Sequence, residues 1–63
     1  MKGLWDVTTN IVDGEKYYQV YRLIDAGEVD HSGNREYIQF LFKVKEEAQI
    51  CADRKNNEEA LHE

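Results

Sequence analysis

Leu4-Trp5-Asp6-Val7-Thr8-Thr9-Asn10-Ile11-Val12-Asp13-Gly14-Glu15-Lys16-Tyr17-Tyr18-Gln19-Val20-Tyr21-Arg22-Leu23 is the stretch that decides the fold. Asp13-Gly14 readily takes the positive φ angles of a type I′ turn, and it stands between two runs rich in β-formers. In the first run Trp5, Val7, Thr9 and Ile11 alternate with Asp6, Thr8 and Asn10, the period of a half-buried strand. A two-residue loop pairs Val7 with Val20, Thr9 with Tyr18 and Trp5 with Arg22, making Trp5, Val7, Ile11, Tyr18 and Val20 the inner face. A three-residue loop with a bulge would turn Tyr17, Gln19, Tyr21 and Leu23 inward instead, because a slip of one residue inverts every side chain. The first register pairs Val with Val and leaves Gln19 outside, and is favoured for that reason.

Outward from the hairpin, residues 25–36 lack periodicity, and Ser32-Gly33-Asn34 reads as a turn. A third strand is expected over Tyr37–Val44, with Ile38, Phe40, Phe42 and Val44 inward and Tyr37, Gln39, Leu41 and Lys43 outward. A helix follows from Glu46-Glu47-Ala48, its acidic first turn suited to the macrodipole, and is expected to stop near Asn56-Asn57. Val44, Ala48, Cys51, Ala52 and Lys55 recur at helical spacing, so its buried stripe is made of small residues. Ile50 falls off that stripe and is expected at the surface. The expected fold is α+β: a three-stranded antiparallel sheet (β-β-long loop-β) with one C-terminal helix on one face. It forms a single domain over residues 1–57, followed by a polar tail, 58–63, that is expected to fray, with extension of the helix by one turn through Leu61 as the alternative.

Sixty-three residues are close to the smallest chain that folds without disulfide or metal, so self-association into a homodimer is a natural supplement to the core. Cys51 is the only cysteine and cannot form an internal disulfide, and the opening residues lack an apolar signal run, which together point to the cytoplasm. No stretch approaches the length of a membrane span. The net charge of −5 disfavours a generic nucleic-acid binder. Residues 1–23 are neutral, so the acidity belongs to the loop and the C-terminal region.

Catalysis requires a nucleophile with a base, or carboxylates held apart in pKa around a pocket, and no such set is visible. No enzyme activity, catalytic residue or cofactor is expected, and no small-molecule substrate is evident. Counted from Asp30 as a calcium-loop start, the sixth position is Arg35 and the twelfth Leu41, where Gly and Glu are needed. The loop reads as solvated, with Asx-type turns available to order it. His31, Cys51 and His62 lack the paired spacings of zinc motifs, and Cys51 reads as a small core residue, so no metal site is expected.

The outer sheet face carries the functional expectation. It displays Thr8, Asn10, Tyr17, Gln19, Tyr21 and Gln39, side chains suited to a protein interface or to stacking on nucleic acid. Leu4, Leu23 and Leu41 on the same side favour protein contact. A non-catalytic interaction module using this face or an edge strand is therefore expected.

Phe40-Leu41-Phe42-Lys43-Val44-Lys45-Glu46-Glu47-Ala48-Gln49 resembles the passage entering the helix of the arm-type DNA-binding domain of phage and transposon tyrosine integrases. That resemblance implies a nucleic-acid-binding accessory module as the alternative, although that family is basic on its sheet and this chain offers there only Lys16 and Arg22. The stretches Tyr18–Leu23 and Asp30–Tyr37 also resemble small uncharacterised bacterial proteins of similar length, a resemblance that implies no function.

Overall fold

The computed structural model describes residues 1–61. Strands β1 (Asp6–Val12) and β2 (Glu15–Leu23) form an antiparallel hairpin in which Val7 faces Val20 and Thr9 faces Tyr18. Asp13 has φ 51° and Gly14 φ 81°, the left-handed pair that a type I′ turn requires, so the loop is the two-residue one. β1 begins one residue after Trp5. The Trp5 and Arg22 side chains nevertheless meet, with the guanidinium carbon 4.3 Å from the ring centre.

The long connection is ordered by its own polar groups. Buried Asn34 accepts the Asp25 N–H (2.9 Å) and donates to the carbonyls of Asp25 (2.9 Å) and Val29 (3.2 Å). Gly27 N–H donates to Asp25 Oδ1, closing an Asx turn, and His31 Nδ1 accepts from Gly33 N–H at the head of a short 3-10 turn, Ser32–Asn34.

The third strand departs from expectation. β3 is only Arg35–Tyr37, paired with β2 through Tyr21–Tyr37, Arg22–Glu36 and Leu23–Arg35, and it makes the sheet order β1-β2-β3. Pairing then breaks and resumes as one bridge, Tyr18–Phe42. Five residue steps from Tyr37 to Phe42 face three from Tyr21 to Tyr18, and the excess is folded into a bulge. There Ile38 N–H reaches the Val20 carbonyl (3.0 Å), while Phe40 N–H turns back on the Ile38 carbonyl (2.8 Å). An even excess preserves side-chain parity, so Ile38 and Phe42 both pack inward. Phe40, expected beside them, is expelled by the bulge and is 58% exposed.

Helix α1 spans Lys45–Leu61 and lies across β1 and β2. Ala48 and Ala52 are fully buried, with Cys51, Lys55 and Asn56 half-buried beside them, which is the small-residue stripe. The absence of bulk lets the helix axis approach the sheet over Trp5 and Val20. Val44 precedes the helix and is exposed, so it does not belong to the stripe. Ile50 is exposed as expected. The expected stop at Asn56-Asn57 does not occur. Asn56 and Glu59 are tied to Trp5 and Arg22, and these tertiary bonds carry the helix on to Leu61. The end of the expected tail, including His62, lies outside the described residues.

The core is Trp5, Val20, Ala48 and Ala52, surrounded by half-buried Val7, Tyr18, Ile38, Phe42 and Cys51. Ile11, expected inside, is 63% exposed. The chain enters the helix just after Phe42, which is bridged to Tyr18, so the hairpin runs on past the helix and its tip has no second layer. The long dimension of 39 Å, against 14 Å of thickness, reflects that overhang. No described helix is long and apolar enough to cross a membrane.

Candidate interaction surface

With the register set, alternate residues of all three strands share the face opposite the helix. β1 contributes Thr8 and Asn10, β2 contributes Tyr17, Gln19 and Tyr21, and β3 contributes Arg35 and Tyr37. A shallow depression of about 300 Å³ lies among Thr8, Asn10, Gln19, Arg35, Tyr37 and Gln39.

Two of these side chains, Arg35 and Tyr37, were not among the six expected, and they organise the face. Arg35 forks onto Asp30, with Nε to Oδ1 at 2.7 Å and Nη2 to Oδ2 at 3.0 Å. Its guanidinium carbon sits 4.3 Å from the Tyr21 ring centre, and the Tyr21 and Tyr37 rings lie 6.2 Å apart at a 36° tilt. The hydrogen bonds with Asp30 hold the Arg35 pKa above its ordinary range and the Asp30 pKa below the usual carboxylate value. A planar cation stacked on a half-buried tyrosine is worth about 0.5–1 kcal/mol. Its larger consequence is order, because the loop carboxylate, the guanidinium and two rings are fixed before anything binds.

The amides are fixed in the same way. Gln19 Nε2 donates to the Ile38 carbonyl in the bulge (3.2 Å), and Asn10 Nδ2 reaches Gln19 Oε1 at 3.4 Å. Gln39, at the centre of the tight turn, is exposed at the margin of this amide row. Of the six expected residues, Thr8, Asn10, Gln19 and Gln39 therefore surround the depression and Tyr21 belongs to the aromatic–arginine stack. Tyr17 stands apart toward the hairpin tip. Its hydroxyl donates to Glu15 Oε2 at 2.8 Å, and that bond raises the phenol pKa by favouring its neutral form. Leu23 and Leu41 are half-buried, and Leu4 is exposed.

The opposite side holds a second polar cluster whose groups are already occupied. Buried Arg22 reaches Glu36 Oε1 through Nε (2.7 Å) and Nη2 (2.6 Å), and Glu59 Oε1 through Nη1 (2.6 Å). Trp5 Nε1 also donates to Glu59 (3.2 Å). Asn56 accepts the Trp5 N–H (2.8 Å) and donates to the Trp5 carbonyl (3.1 Å), as a neighbouring strand would. Asn34 uses the same two-way amide pairing on Asp25, so two asparagines close the fold at points where no strand partner is present. Among the described residues every buried side-chain nitrogen and oxygen has a hydrogen-bond partner.

Cys51 packs against the core, and His31 serves the 3-10 turn. Among the described residues no three His, Cys, Asp or Glu side chains converge on a metal-sized site. The chain matches no protein-family model, no curated protein and no solved structure.

Proposed function

We propose that this protein is a non-catalytic interaction module of the bacterial cytoplasm that docks another protein on its outer sheet face. The observation that carries the reading is the pre-ordered Asp30–Arg35–Tyr21–Tyr37 stack on a face that the helix leaves open. Tyrosine and arginine are the residue types that dominate binding energy at protein interfaces, and contacts immobilised beforehand lower the entropic cost of docking. Threonine and amide groups around the depression supply adaptable hydrogen bonds beside those anchors. A single, half-buried thiol suits a reducing compartment.

The nucleic-acid alternative receives less support from the same geometry. Phosphate contacts need free cations. Arg22 is buried between two carboxylates, Lys16 lies 5.5 Å from the Tyr18 ring centre on the inner side, and Arg35 is neutralised by Asp30. A gel shift with duplex and single-stranded DNA at low salt separates the two readings. The interaction-module reading predicts no salt-sensitive retardation, and retardation lost on Arg35→Ala would overturn it.

A further inference from the structure

We propose that a second copy of this chain adds to the open edge of β1, antiparallel and centred on Thr9, to form one continuous sheet across two protomers. Type I′ closure makes Val12–Glu15 a hydrogen-bonded pair, so Thr8 and Asn10 spend their backbone groups on β2 while Val7, Thr9 and Ile11 point theirs away from it. The far side of β2 agrees. Tyr18 and Val20, the partners of Thr9 and Val7, turn their backbone groups toward Phe42 and Ile38.

The β1 edge is guarded at one end only. Asn56 occupies both backbone groups of Trp5, and Asp6 Oδ1 accepts the Val7 N–H at 2.8 Å. Beyond them, among the described residues, nothing takes the outward groups of Thr9 and Ile11. Edge strands are ordinarily blunted by lysine, proline or a bulge. The β1 sequence, Asp-Val-Thr-Thr-Asn-Ile-Val, contains neither residue type and pairs with β2 without interruption.

The occupant is chosen by self-complementarity. Centred on Thr9, two β1 strands oppose Thr9 to Thr9, Val7 to Ile11 on the inner side and Thr8 to Asn10 on the outer side, with no like charges directly opposite. Only odd-numbered residues offer outward groups, and this register joins them through about four backbone hydrogen bonds, with about two more once each Val7 N–H exchanges Asp6 Oδ1 for the partner's Ile11 carbonyl. A two-fold axis normal to the sheet places both helices on the same face. Ile11, 63% exposed on the overhanging hairpin, then lies beside the partner's half-buried Val7 and gains the cover its own helix does not provide. A net charge of −5 on each copy opposes association, so salt should strengthen this dimer.

The site is separate from the outer face, and the test keeps the two apart. Sedimentation equilibrium of the full chain up to about 500 µM is compared for wild type, Ile11→Lys and Tyr21→Ala, with circular dichroism confirming each fold. The proposal predicts twice the 7.4 kDa chain mass for wild type and Tyr21→Ala, and at least about tenfold weaker association for Ile11→Lys. It also predicts that amide exchange slows with protein concentration at Thr9 and Ile11 but not at Thr8 and Asn10. A wild-type monomer throughout, a dimer indifferent to Ile11→Lys, or one abolished by Tyr21→Ala overturns it. Dimer loss on Tyr21→Ala would instead assign the outer face to a second copy, whereas the other mass results leave the outer-face proposal, which is read by partner capture, unchanged.

Discussion

Replacing Asn56 by alanine removes both hydrogen bonds that its amide makes with the Trp5 backbone and leaves a donor and an acceptor beside a buried indole. Each abandoned buried group costs about 1–3 kcal/mol, at the low end here because water can enter from the adjoining open cleft lined by Lys2, Leu4 and Asn56. The expected loss is thus about 2–3 kcal/mol. A domain of this size holds only about 3–5 kcal/mol in total, so most of its stability rests on this one side chain. Trp5 is the only tryptophan, and its fluorescence in a urea titration reports the transition directly. With a slope near 1 kcal/mol per molar urea, the midpoint should fall by about 2–3 M. Asn56→Asp sharpens the test, since it retains an oxygen for the Trp5 N–H but sets another against the Trp5 carbonyl. It should fail to restore the loss. Asn57→Ala, one position along on the exposed side, should stay within about 0.5 kcal/mol of wild type. An Asn56→Ala midpoint within that margin, or an Asn56→Asp protein as stable as wild type, would refute the backbone-pairing role.

Other consequences follow from the same contacts. Arg22→Ala leaves Glu36 and Glu59 facing each other and exposes the Trp5 face, but both carboxylates can rehydrate, so the loss should be about 2 kcal/mol in thermal unfolding; Arg22→Lys, which cannot fork, should recover only part of it. Gly14→Ala forces a Cβ into a residue at φ 81° and should cost about 1–2 kcal/mol by urea titration, even though no atom lies near the added methyl. Asp30 has a folded-state pKa below its unfolded value. The stability it contributes is therefore complete above the ordinary aspartate pKa near 3.9 and is lost as pH falls through the lower folded value. Side-chain NMR of Arg35 Nε–H should lose its dispersion in that window, and Asp30→Asn should abolish the transition.

The hairpin was legible because Asp13-Gly14 marks the turn and the pairing of Val7 with Val20 selects between its two possible registers, and the helix stripe because Ala48, Cys51, Ala52 and Lys55 keep helical spacing. The bulge was not. Residues 37–44 alternate without a glycine or any other mark of interruption, and the break is made by distant partners: Gln19 on the Ile38 carbonyl and Tyr18 bridged to Phe42. Alternation likewise assigns Ile11 to a face without revealing how far the covering helix extends. Asn56-Asn57 reads as a helix stop from intrinsic propensity, which tertiary bonds to Trp5 and Arg22 override. Arg35 was missed as a site residue because the loop was drawn through residue 36, and Tyr37, already read as outward on the third strand, was left out because the sequence does not reveal its pairing with Tyr21. With the strand begun at Arg35, the same two-residue period that places Gln39 outward places both beside Tyr21.

Affinity capture from extract of the source cells, comparing wild type with Tyr21→Ala, Arg35→Ala and a helix-surface control, Gln49→Ala, tests the outer-face proposal most directly. Gln49 is exposed on the opposite layer. The account predicts a specific protein retained by wild type and Gln49→Ala and lost with either outer-face variant, all four chains remaining folded. Retention of the same protein by all four would contradict it.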